Sequence, residues 1–424
     1  MNTAKQFTEI MSNETAKVDI DYTNEQVPQE ARRGFLKMFM IMMGFTFFSA
    51  SMWVGQKLAE GLDFWQFLGA LLFGGALLGA YTGALGYVGG DSGLSLDNLA
   101  IRSFGRYGSY LPSAMISFTQ MGWFGVGLAM FAIPVATQLL GGDKLVEYIL
   151  VAVAGICMTA SAYRGIKSLT IISFIAVPCV AILGTIAMVM AVMQGNGSII
   201  EQFAVSTTDL GIVGGAGLVI GSFVSGGTAT PNFTRFSKSG KMGCIISVVA
   251  FFIGNSLMFC FGAVSSIFVG GNDIFDVMLK LNLFYAAILV LGLNIWTTND
   301  NALYSVGLGL ANIFKMKKST MVLVAGLIGT VMAEWLYYNF CGFLNILNCT
   351  LPPVGIILVV AYFTNRKAFA DGAEIKNVNW GAVIGVIAGA VVANFMTWGV
   401  PSINGMVVAT LCYLAGCLID LRKD

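Results

Sequence analysis

The chain has 424 residues, 57% of them hydrophobic and only 11% charged, with a mean hydropathy of +0.79 and a formal net charge of +1. It contains no histidine and no GxxxxGK[ST] run, which excludes His-ligated haem, most zinc sites, Ser/His/Asp catalysis and ATP-driven transport by this chain alone. What is left is a polytopic membrane protein: a carrier driven by a gradient, a channel, or a membrane enzyme of unusual chemistry. The near-zero charge sums over two membrane faces and implies no nucleic acid.

In chain order, residues 1–33 are polar and acidic and lack a signal-peptide core, so they read as a solvated cytoplasmic tail, with a regulatory or partner-binding role as the alternative. Twelve apolar runs follow, at roughly 34–55, 65–89, 109–140, 145–163, 166–193, 211–230, 242–270, 283–312, 319–338, 340–364, 377–397 and 401–420, each about the ~20 residues that cross a hydrocarbon core. This order predicts an all-α polytopic fold, divided into a first repeat (34–200, helices 1–5), a second, inverted repeat (201–364, helices 6–10), and two C-terminal helices with a short cytoplasmic end (365–424).

Twelve spans starting inside put 20 of the 23 Lys and Arg residues on the cytoplasmic side, Lys5, Lys17, Arg422 and Lys423 among them, and leave only Lys57, Lys144 and Lys280 outside. That asymmetry predicts that both termini are cytoplasmic. The eight cysteines form no CxxC pair and read as small buried thiols.

Polar residues inside these runs mark candidate sites, because polar groups at that depth usually line a path or a pocket. The first span is interrupted at Ser49-Ala50-Ser51. The third places Gln120 and Trp123 on one helix face, three residues apart, as either a packed indole with an interhelical amide or a surface for a flat ligand. The sixth carries Gly221-Ser222-Phe223-Val224-Ser225-Gly226-Gly227 ahead of Pro231, a second interruption at the matching place in the second repeat; close helix packing through small residues is the plainer explanation. In the eighth span Asn294, Thr297 and Thr298 sit at i, i+3 and i+4. Their neutral oxygens suit a weakly bound monovalent cation, and back-bonding of the hydroxyls to the helix is the alternative. Asp300 and Glu334 are the carboxylates most clearly inside spans. Structural contacts are favoured for both, with Glu334 near the outer interface.

At these residues the sequence resembles the cytosine permeases of the nucleobase:cation symporter family. The resemblance rests on TFFSASMW from Thr46, TQMGWFGVGLAMFAIPV from Thr119, GSFVSGGTATPNFTRF from Gly221, GLNIWTTNDNALY from Gly292 and PPVG from Pro352, and it runs from about Val27 to the last span. It implies twelve transmembrane helices, ten in a 5+5 inverted repeat with broken first and sixth helices. It further implies Trp123 and Phe223 around a pyrimidine ring, and Gln120, Ser222, Ser225 and Asn299, with the backbone of Phe48, Ser49 and Ser51, at the ring's edge. A sodium ion would take the carbonyls of Phe45, Phe48 and Asn294 and the hydroxyls of Thr297 and Thr298. The helical wheel turns Asn299 away from Asn294 and Thr297, against that placement. A phenylalanine at 223, where hydantoin-carrying relatives have tryptophan, allows a smaller ring.

The expectation is therefore a multi-pass secondary symporter of the cytoplasmic (inner) membrane that imports cytosine with sodium by alternating access. Its partners are the small molecule, the ion and the lipid bilayer, with no other cofactor, no nucleic acid and no obligate protein partner. The alternatives are a proton-coupled carrier of uracil, a purine, allantoin or hydantoin, then a channel, then an enzyme.

Overall fold

The computed structural model describes residues 21–203, 210–271, 274–370, 372–396 and 398–421, the side chains of 340–348, 420 and 421 excepted. The expectations for residues 1–20, for Lys5, Lys17, Arg422 and Lys423, and for the Cys341 thiol lie outside the described residues.

Helices carry the described chain. The first span is a bent pair, α1 (Phe35–Thr46) and α2 (Ser49–Gly61), which meet at 52°. Then come α3 (Phe64–Ser92), a short α4 (Leu96–Phe104), α5 (Tyr110–Leu139), α6 (Lys144–Tyr163) and α7 (Ile166–Gln194). The second half runs α8 (Gly211–Thr228), α9 (Gly240–Val248), a π-helical stretch at Val249–Gly254, α10 (Asn255–Val269), α11 (Ile274–Lys280), α12 (Phe284–Phe314), α13 (Lys318–Val331), α14 (Ala333–Tyr338) and α15 (Phe340–Thr364). It is followed by α16 (Trp380–Phe395) and α17 (Pro401–Leu421).

Among the described residues, seven helices are long and apolar enough to cross a bilayer, or eight with the bent pair counted as one span. The other expected spans are also helical. α12 fails that test through its polar run and α13 and α16 through their length, whereas α15 is 25 residues long with only Cys349–Thr364 counted among the described residues. The count of twelve crossings thus rests on the sequence pattern. Lipid-facing surface is plain on α7, where Ile171, Ile175 and Ile182 are 59–63% exposed, as expected for a helix whose outer face meets hydrocarbon.

The helix pairings are symmetric when each span is exchanged with the one five places on. α2 packs on α10 and, correspondingly, α8 on α3; α1 packs on α7 and α8 on α15; α5 packs on α12, which maps onto itself. Glycines set the closest of these approaches. A Cβ at Gly55 would fall on the Phe259 carbonyl and one at Gly262 on that of Met52, so α2 and α10 meet backbone to backbone.

Three expectations need correction. Residues 21–33 do not form a solvated tail. Asp21 Oδ2 pairs with Lys318 Nζ at 2.6 Å, Arg235 donates to the carbonyls of Asp21 and Tyr22 at 2.7 and 2.8 Å, and Arg32 donates to Gly90 O at 2.7 Å. Charges that would be costly buried alone are here compensated, which lets a polar segment dock. Arg366 pairs with Asp91 and Arg102 donates to Ala370 O, gathering many of the basic residues at one end of the bundle. The cysteines are also not buried: Cys157 is exposed and the other six described are intermediate, in keeping with spans that turn one face outward.

The breaks themselves sit beside the expected runs. The first falls at Phe47 and Phe48, both off the helical conformation, with Ser49 and Ser51 already helical. The sixth falls after the glycine run: α8 continues through Gly226 and Gly227 to Thr228, and a single turn, Pro231–Thr234, follows Ala229 and Thr230. Proline has no N–H and cannot continue the ladder, whereas glycine only weakens a helix.

Candidate functional site

The break in the first span is held open from another helix. Ser49 N, which has lost its helical partner, donates to Asn294 Oδ1 at 2.7 Å, and Ser49 Oγ donates to the same oxygen at 2.8 Å. Asn294 on α12 thus acts as an N-cap supplied in trans. Near this junction Thr298 Oγ1 lies 3.4 Å from Phe45 O and 3.3 Å from Asn294 O, and Thr297 Oγ1 lies 3.0 Å from Asn294 O. Phe45 O, Asn294 O and the two threonine hydroxyls therefore form one cluster of neutral oxygens. Phe48 O accepts from Ser51 N at 3.0 Å, and no contact ties it to that cluster.

Next to this cluster is a narrow cavity, in this conformation about the size of one water, lined by Phe45, Phe48, Gln120, Trp123, Ser222, Phe223, Ser225, Gly226 and Thr298. Phe48 stands edge-on between its two flanking rings, 5.5 Å from Trp123 at 75° and 6.4 Å from Phe223 at 80°. Phe45 meets Phe223 edge-on at 5.3 Å. Among the polar groups, Trp123 Nε1 donates to Ser225 Oγ at 2.8 Å, and Ser222 Oγ donates to Val219 O at 2.8 Å. Gln120 Nε2 is buried without a partner. A buried donor left unpaired costs about 1–3 kcal/mol, so this amide is available to an acceptor that enters the cavity. No ionisable side chain lines it, and a charge-free, aromatic, hydrogen-bonding lining matches a neutral flat ring.

The structure thus brings Phe45, Phe48, Gln120, Trp123, Ser222, Phe223, Ser225 and Thr298 together, with Asn294 and Thr297 alongside. Three residues expected at the ring's edge make other contacts here: the Ser49 N–H goes to Asn294, and the Ser51 N–H to Phe48 O at 3.0 Å. Ser51 Oγ donates to Asn255 Oδ1 at 2.6 Å, because helix resumes at Ser49 and turns Ser51 toward α10. Asn299 Nδ2 reaches Phe124 O at 3.2 Å and Met158 Sδ at 3.3 Å. One residue beyond Thr298 is a rotation of about 100°, which aims Asn299 at α5 and α6, away from the cavity. Asp300 accepts from Ser161, and Glu334 pairs with Lys144 at 2.7 Å, partly exposed; neither reaches the cavity. Among the described residues, no group of three or more His, Cys, Asp or Glu side chains converges as a metal site. Asn255 is not among the site residues expected from the sequence, although an amide in the middle of the seventh span was a visible signal.

A family model described as permease for cytosine/purines, uracil, thiamine, allantoin matches residues 26–418. The cytosine permease of Escherichia coli (strain K12) is 45% identical over 398 residues, covering 93% of this chain and 94% of that protein. Among solved structures, Mhp1, a nucleobase-cation-symport-1 family transporter in a closed conformation with bromovinylhydantoin bound, superposes with a TM-score of 0.78 at 19% identity, over 92% of this chain and 94% of that one. A substrate-bound, outward-open Na⁺-coupled sialic acid symporter gives a TM-score of 0.67 at 14% identity, over 99% and 95%. The fold is that of Mhp1.

Proposed function

Because this chain belongs to the family of permeases for cytosine/purines, uracil, thiamine and allantoin, we propose that it is a symporter that imports cytosine together with sodium by alternating access across the cytoplasmic membrane. Membership makes it a transporter rather than an enzyme. The observation that carries the cargo is the charge-free cavity whose unpaired Gln120 Nε2 faces an aromatic cage. Cytosine is flat and uncharged near neutral pH; its O2 and N3 accept, and its amine and N1 donate. Gln120 would donate to an acceptor edge, Trp123 and Phe223 would flank the ring, and Ser222 and Ser225 would meet the remaining edge.

Sodium fits the oxygen cluster at the α1–α12 junction, where every donor is neutral, as a monovalent ion tolerates and a highly charged metal does not. Phe45, Asn294, Thr297 and Thr298 would hold it, with Phe48 O close by in sequence. An ion there bridges the first and eighth spans, and it drives transport only if it binds the substrate-competent state more tightly than the alternative. The gathering of basic residues at one end supports cytoplasmic termini.

The test is binding of cytosine to the purified protein with and without sodium at constant ionic strength, followed by competition with uracil, adenine, allantoin and hydantoin. Tighter binding in sodium and rejection of uracil are the expected results. Equal binding without sodium would move the coupling to protons, and no cytosine binding would discard the cargo.

A further inference from the structure

Asn255 stands behind the cavity wall at the start of α10, 1% exposed. The π-helical turn Val249–Gly254 runs directly into it. Such a turn re-aims the side chains that follow and recurs at functional sites. The amide's two atoms face different helices: Oδ1 is 2.6 Å from Ser51 Oγ, and Nδ2 is 3.4 Å from Ser222 Oγ. The short distance is that of an O–H···O bond rather than an N–H···O bond, so Ser51 donates to the amide oxygen while the amide nitrogen points at Ser222.

These contacts complete a chain. Asn294, whose carbonyl belongs to the oxygen cluster, holds Ser49 at the break by two hydrogen bonds. Ser49 and Ser51 share the first turn of α2. Ser51 engages Asn255, and Asn255 engages Ser222, which lines the cavity. Asn255 is not among the residues that line this cavity, so its effect on the ligand passes through Ser51 and Ser222. Ser222 has one hydrogen and two lone pairs; Val219 O takes the hydrogen and Asn255 one lone pair, which leaves a single lone pair for a ligand.

We propose that Asn255 is the positioning residue through which an ion bound beside Asn294 tightens the cavity, by tying the turn after the first break to the Ser222 wall. The inference rests on the sodium-coupled reading of the site. Its signature is a coupling factor, the ratio of cytosine Kd without and with sodium, which for linked sites is typically about 5–150-fold.

The experiment measures that ratio for the full-length protein as wild type, Asn255→Leu, Ser51→Ala and Asn255→Asp. Leucine matches asparagine in shape and removes both hydrogen bonds. Ser51→Ala cuts the same link from the other side, and the aspartate variant keeps an acceptor for Ser51. The expected result is a ratio that falls to within about twofold of unity in the leucine and alanine variants, with sodium-free cytosine affinity retained, and that survives in part with aspartate. If wild type responds to sodium and the leucine and alanine variants respond equally, the inference fails and the symport reading stands. Should wild type itself show no sodium response, both fall. Were Asn255→Leu to misfold, the folded Ser51→Ala protein would decide by the same ratio.

Discussion

Replacing Lys318 with methionine removes the cation from a pair whose Nζ lies 2.6 Å from Asp21 Oδ2, with 5% and 12% of the two side chains exposed. At that separation the gross attraction is about 6 kcal/mol for an effective dielectric near 20. Most of it is offset by removing both ions from water, so the intact pair contributes little net stability. The cost of deleting one partner is larger, about 3–5 kcal/mol where the other charge is left buried with nothing to offset it. Here Asp21 Oδ1 keeps a hydrogen bond from Ile166 N at 3.1 Å, which favours the lower end of that range. Lys318 Nζ also lies 4.6 Å from the centre of the Tyr304 ring, so the reciprocal change, Asp21→Asn, leaves the ammonium a favourable neighbour and should cost less. Thermal unfolding of the purified protein in one detergent, at one scan rate, should rank Lys318→Met lowest. The double variant should recover part of that loss, with a non-additivity of at least about 1 kcal/mol in a double-mutant cycle. If Lys318→Met unfolds at the wild-type temperature, or if the two changes simply add, residues 21–33 are not held by this pair and the docked arrangement is wrong.

Thr298→Ala removes the hydroxyl that sits between Phe45 O and Asn294 O; it should weaken the sodium response of cytosine uptake at least about tenfold while the ranking of competing bases stays unchanged, and an unaltered sodium titration would remove Thr298 from the ion site. Asn299→Ala should leave cytosine Kd within about twofold and lower stability by about 1 kcal/mol, the worth of its bond to Phe124 O, so a large loss of binding would return Asn299 to the ring edge. Burial pushes the Asp97 carboxyl up to about 6, against the Ser113 hydrogen bond and the charges of Arg235 and Lys315. An acid whose folded pKa is raised binds more protons folded than unfolded. Its contribution is therefore present below about pH 4 and is lost as pH rises to about 6, a loss of about 2–3 kcal/mol. Asp97→Asn should accordingly raise the melting temperature at pH 7.5 and change it little at pH 4, and equal shifts at both pH values would contradict this.

How much the sequence disclosed depended on whether a residue's role is set within its own helix. The spacing of Asn294, Thr297 and Thr298, and of Gln120 and Trp123, fixes shared faces by helical geometry alone, and those residues do lie together or side by side. The wheel likewise turned Asn299 away from Asn294 and Thr297, although the family template placed it at the ring. Positions of the breaks were less legible. Glycines and serines mark where a helix is weak, but the ladder stops where a partner or a proline takes over, at Phe47–Phe48 and at Ala229–Thr230. Contacts between distant segments were least legible: nothing local to Asp21, Asn255 or Ser161 says that Lys318, Ser51 or Asp300 will face it.

The two breaks also differ in how their freed backbone groups are satisfied, and this bears on which helix moves. After Thr228 the sixth span closes on itself, since Ala229 N donates to Gly226 O at 3.0 Å and Thr230 N to Gly227 O at 3.1 Å. That break can travel with its helix without unpairing these freed backbone N–H groups. At the first break the freed Ser49 N–H is satisfied by Asn294 of another span. Separating α1 and α2 from α12 therefore unpairs a buried backbone donor, at about 1–3 kcal/mol, and dismantles the oxygen cluster in the same movement. A cation bound across that junction would add its own binding energy to the closed arrangement, so ion occupancy and the position of the first span are linked by shared atoms, Phe45 O and Asn294 O. The cavity, whose wall includes Phe45, Phe48 and Thr298, is then assembled only while that junction holds.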